Sequence, residues 1–72
     1  VHRRWREQAI LDAVRQGHTT IDRIVATVYQ GLDSRLVRAA SLSVLAHIES
    51  LVERGLVSCD GPPDLDRPVF AV

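Results

Sequence analysis

The sequence predicts a mainly α domain in which three helices are closed by a small β-hairpin, and three observations predict it. From Val37 to Arg54 the apolar residues Val37, Ala40, Val44, Leu45, Ile48, Leu51 and Val52 recur at steps of three and four, one side of a helix with a period of about 3.6 residues. Two shorter segments upstream carry stripes of the same period and can pack on it. After Gly55 the pattern changes to two short apolar runs separated by a turn that holds Gly61, Pro62 and Pro63. Helix, helix, helix, hairpin is the order of a winged helix, a helix-turn-helix variant with a two- or three-stranded antiparallel wing appended.

The first helix is predicted over 2–16, with Trp5, Ala9, Ile10, Ala13 and Val14 as its apolar stripe, Leu11 flanking it, and Gly17 closing it in a left-handed conformation. Its first two turns are crowded with His2, Arg3, Arg4, Arg6 and Glu7, where Arg3 and Glu7 are spaced to form an ion pair. Three arginines at a helix N-terminus oppose the macrodipole, which favours acidic groups there. They are either a solvated end or a face that docks on a preceding domain. Trp5 reads correspondingly as a core residue or as part of an exposed interface.

The segment 18–20 is predicted as a short edge strand joining the hairpin, with Thr20 also capping the second helix, 21–30. In that helix Ile21, Ile24, Val25, Val28 and Tyr29 match the helical template without a gap. Asp33 or Ser34 caps the third helix, 34–54, whose Ser41 and Ser43 hydroxyls compete for backbone carbonyls and could loosen it. Gly55 ends it. Strands follow at 56–59 and 68–72, and Asp60–Arg67 form the turn, because neither proline of that loop fits a central strand.

At 72 residues the chain is a single domain, and a domain of this size buries only about 60% of the surface its unfolded form exposes. Its stability is therefore expected to be marginal, and a docking partner could add to it. The single cysteine, Cys59, excludes an intramolecular disulfide and fits a reducing, cytoplasmic setting. No apolar run is long enough for a signal peptide or a membrane span, so no membrane role is expected.

Metal chemistry is not expected within these residues. His2, His18, His47 and Cys59 are spread singly along the chain, and Asp60, Asp64 and Asp66 lack the order of a calcium loop. His47 reads as a half-buried residue hydrogen-bonded to a neighbour. No phosphate loop, nucleophile elbow or Cys–His pairing appears, so this segment is not itself catalytic. As a DNA reader the domain would offer Arg35 and Arg38 to phosphates from the third helix. Nine basic residues against nine acidic ones leave no net positive charge, and the wing sets three aspartates against Arg67 alone.

Three stretches in order carry a resemblance: His2-Arg3-x-x-Arg6-Glu7-x-x-Ile10-Leu11, Thr20 with an apolar helix ending Val28-Tyr29, and Ala40-x-x-x-Val44-x-Ala46-His47-Ile48-x-x-Leu51-x-x-x-Gly55. Together they resemble the C-terminal winged-helix domain of metallo-β-lactamase-fold hydrolases of the β-lactamase-like protein 2 type. The resemblance implies an upstream catalytic domain that binds zinc through its own His and Asp cluster, with no ligand in these 72 residues. It implies an accessory module that packs on that domain and helps shape the substrate entrance, the parent enzyme being a nuclease, a thioester hydrolase or another hydrolase. His2, Arg3, Trp5, Arg6 and Glu7 would then lie at the junction. The alternative is a winged-helix module of a transcriptional regulator that binds DNA or a protein.

Overall fold

The computed structural model describes residues 2–72, with side chains from Arg4 onward. Helix α1 spans His2–Arg15, α2 Ile21–Val28 and α3 Val37–Glu53, and strands β1 (Val57–Cys59) and β2 (Val69–Ala71) form an antiparallel hairpin. This is a winged helix. The core is a single cluster to which the three α-helices and both strands contribute: Ile10, Leu11, Ala13 and Val14 from α1, Ile21, Ile24 and Val25 from α2, Ala40, Val44, Ile48 and Leu51 from α3, and Val57 and Val69 from the hairpin. Leu11, expected only to flank the stripe, is buried within it.

Two helices end in the same way. Gly17 and Gly55 take φ of +101° and +75°, a conformation that costs a residue without Cβ little. Behind them His18 N–H reaches Ala13 O at 3.1 Å and Leu56 N–H reaches Leu51 O at 2.9 Å, closing a Schellman motif on each helix. Each motif takes one residue from a predicted strand. Because Leu56 N–H is bound to α3, β1 starts at Val57 rather than at residue 56.

The predicted strand 18–20 does not form. His18 N–H is committed to α1, and the Thr20 hydroxyl accepts the Arg23 N–H at 3.3 Å as the N-cap of α2. Between two helix caps only Thr19 remains, and its carbonyl takes one bond, from Val69 N–H at 2.8 Å. That contact ties the wing to the helices without adding a strand, so the sheet has two strands. Thr20→Ala is expected to cost about 1 kcal/mol through the lost cap, read as a lower urea midpoint at unchanged slope.

The remaining boundaries shift for local reasons. Helix α1 stops at Arg15, since Gln16 already belongs to the capping turn. Helix α2 ends at Val28 rather than at residue 30 because Tyr29 leaves helical angles (φ −113°, ψ 58°) ahead of Gly31 at φ +75°. The predicted helix 34–54 opens as a 3₁₀ turn, Ser34–Leu36, before α3 begins. Asp33 causes this: its carboxylate accepts Arg35 N–H at 2.9 Å while its carbonyl accepts Leu36 N–H at 2.9 Å, the tighter i to i+3 spacing. Ser41 does not loosen α3; its hydroxyl donates to Val37 O at 2.8 Å within a continuous helix. At the far end, Pro68 lacks an N–H, and β2 is confined to Val69–Ala71.

Candidate docking face

Helical geometry sorts the first turns of α1 into three directions. With Ile10 at the centre of the buried side, steps of about 100° per residue put Trp5 nearly opposite it, Arg6 on the flank toward α2, and Glu7 on the flank toward α3. The accessibilities agree, and the core alternative for Trp5 is overturned: the residue is 63% exposed. A tryptophan so far out of the core is a large apolar surface left to water. His2 and Arg3, expected in the same face, have side chains outside the described residues, and so does the predicted Arg3–Glu7 pair.

Arg6 does not extend into solvent. Its guanidinium lies over the Tyr29 ring, 4.7 Å from the centroid, a cation–π stack between α1 and the C-terminal end of α2. Two polar atoms of this pair, Arg6 Nε and the Tyr29 hydroxyl, are buried with no hydrogen-bond partner among the described residues. Arg4 is exposed on the other side of the helix.

Glu7 turns inward. Its carboxylate lies 3.2 Å from His47 Nδ1 and also accepts from the Arg54 guanidinium, so one side chain of α1 clasps two of the third helix and its cap. Since an ionised carboxylate only accepts, the His47 Nδ1 carries the proton of that bond. Burial alone would push the Glu7 carboxyl up; hydrogen bonds from His47 and Arg54, with the Arg54 and His47 charges, outweigh it and hold the carboxyl below its ordinary value. His47, 12% exposed at its side chain, is thus hydrogen-bonded to a neighbour, as its place on the helix suggests. Glu7 itself is only 18% exposed, which removes it from the outer face and makes it an internal clasp.

The nucleic-acid alternative is served poorly by its two arginines. Arg35 is engaged bidentately by Asp33, at 3.2 and 3.0 Å, which lowers the Asp33 pKa and raises that of Arg35. Arg38 sits with Asp22 and Asp66 on the rim of one groove. Farther along α3 the outward side chains are Ala39, Leu42, Ala46, Glu49 and Glu53, apolar and then acidic. In the wing, Asp64 holds the backbone N–H groups of Asp66 and Arg67, and the Arg67 side chain reaches Pro62 O and Asp64. A random-duplex anisotropy titration at low salt is expected to show no salt-sensitive binding.

Among the described residues no group of three or more His, Cys, Asp or Glu could hold a metal ion, and no helix is long and apolar enough to cross a membrane. The described residues therefore offer zinc no donor set.

A family model described as the beta-lactamase associated winged helix domain matches residues 20–63. The chain belongs to that family. The match runs from the Thr20 cap through α2, α3 and β1 into the turn, so this β-lactamase-associated winged helix is identified by its central helices and by the start of its wing. Helix α1, with Trp5, Arg6 and Glu7, lies before the matched span. No curated protein and no solved structure matches the chain significantly.

Sequence reasoning found Trp5, Arg6 and Glu7 but not their partners. Tyr29 and Arg54 are 23 and 47 positions away from Arg6 and Glu7. No local spacing signals either contact.

Proposed function

We propose that this domain is the accessory winged helix of a zinc-dependent metallo-β-lactamase-fold hydrolase, packed on the catalytic domain through the outer face of α1 and helping to shape the substrate entrance. The observation that carries this reading is the exposed Trp5 beside an arginine held in place on Tyr29, in a chain of a β-lactamase-associated family. Tryptophan and arginine are the residue types that dominate binding energy at protein interfaces. The outward side of α3, where a DNA reader needs positive charge, carries a single arginine, Arg38, beside Asp22 and Asp66, and beyond it Ala39, Leu42, Ala46 and Glu49. Family membership supports a partner domain of β-lactamase fold; zinc, hydrolysis and a cytoplasmic setting are what this reading adds to it.

The test is the mass and metal content of the native polypeptide that contains these residues, captured with an antibody against the domain. A mass well above 8.0 kDa together with zinc is the expected result. A mass near 8.0 kDa, or a larger chain without a β-lactamase-fold domain, would leave a regulator module as the better account.

A further inference from the structure

We propose that Arg6, held on the Tyr29 ring, is the carboxylate receptor of the domain junction, and that the face it forms with Trp5 is covered by an apolar patch of the β-lactamase-fold domain with a carboxylate at its edge. The inference rests on the docking role proposed above and names the chemistry of the occupant.

Two observations select a carboxylate. Arg6 Nε is sealed inside the domain with no acceptor among the described residues, which leaves the terminal Nη groups as the donors open to a docking group. A guanidinium cannot shed its charge, so those groups call for an anionic acceptor. Stacking on Tyr29 restricts the side chain, so the planar fork is positioned before a partner arrives. Bidentate acceptance by a carboxylate is the match for that fork.

The charge around Arg6 points the same way. The first turn of α1 contains no acidic residue, and Glu7, the adjacent carboxylate, is occupied by His47 and Arg54. Arg4, exposed on the other side of the helix, does not belong to this face. The face therefore sets one fixed positive charge beside one large apolar side chain, complementary to a carboxylate at the edge of an apolar patch.

The 72 residues contain no lysine. In the intact native protein, Arg6→Lys places a single side-chain amine in this domain, which a carbodiimide joins to any carboxylate within direct reach. Mass spectrometry is expected to show a cross-link from position 6 to an Asp or Glu of the β-lactamase-fold domain, absent from the unsubstituted protein. Cross-links confined to carboxylates of these 72 residues, no cross-link at all, or nucleic acid found bound to the face would overturn the proposal. Arg6→Met gives a second readout, because it keeps an apolar stem over Tyr29 and removes only the charge. Limited proteolysis between the domains is expected to accelerate about 10-fold or more; an unchanged rate sinks the proposal. A native polypeptide with no β-lactamase-fold domain defeats the docking role as a whole. A two-domain polypeptide with no cross-link from position 6 defeats this inference alone.

Discussion

Ile48→Ala is expected to remove about 3–4 kcal/mol of stability. Ile48 is 0% exposed at the middle of the helix that meets α1, α2 and β1, so the cavity it leaves is walled on every side. Small domains have little to lose: at roughly 0.05–0.15 kcal/mol per residue, a chain of this length holds about 4–11 kcal/mol in total. The variant should therefore unfold at a far lower urea concentration and populate its unfolded state at ordinary temperature. Leu42→Ala, on the outer side of the same helix and 46% exposed, is the control and is expected to stay within about 0.5 kcal/mol of the parent. Equal effects at both positions would mean that α3 does not pack as described.

Glu7→Ala is expected to cost about 1–3 kcal/mol, because it strands the partners of a clasp rather than emptying a surface. His47 bears most of that cost, being 12% exposed, whereas the half-exposed Arg54 recovers water. At roughly 4–8 °C per kcal/mol for a domain this small, the loss reads directly as a lower melting temperature. The clasp also has a pH signature. Its carboxyl is held below its ordinary value of about 4.5, so the unfolded chain binds the proton more readily than the folded one. Stability from Glu7 is then fully present above the unfolded value and fades as pH falls through the lower folded value. Glu7→Gln should flatten that acid limb of the stability curve; a limb of unchanged slope would show that the clasp contributes nothing.

What the sequence made legible follows from the range of the signal. Stripes such as Ile21, Ile24 and Val25 predicted the core because helical periodicity is local, and Gly17, Thr20, Asp33 and Gly55 marked helix ends through chemistry confined to a few neighbours. The boundaries that moved did so where two local demands met at one residue. His18 and Thr20 could serve a strand or the helix caps, and the caps won, since each cap satisfies a backbone group that the helix leaves open. The candidate face was legible in part. Arg3, Arg4 and Arg6, which oppose the macrodipole, mark the start of α1, but local spacing offers Glu7 only Arg3, whose side chain lies outside the described residues, and gives no sign of His47 and Arg54, which the fold presents to it. Trp5 was ambiguous for a related reason: an aromatic one turn from a helix end fits a stripe or an interface equally well, and only the placement of α2 and α3 decides.

The claim that the outer face of α1 is a covered junction is tested most directly by hydroxyl-radical footprinting of the intact native protein, read at Trp5. Phe70, 44% exposed on the wing, serves as an internal reference within the same chain. The account predicts that Trp5 is oxidised several-fold more slowly, relative to Phe70, than its 63% exposure in this domain requires. Oxidation at the rate of a freely exposed tryptophan would show that nothing covers this face and would contradict the docking role.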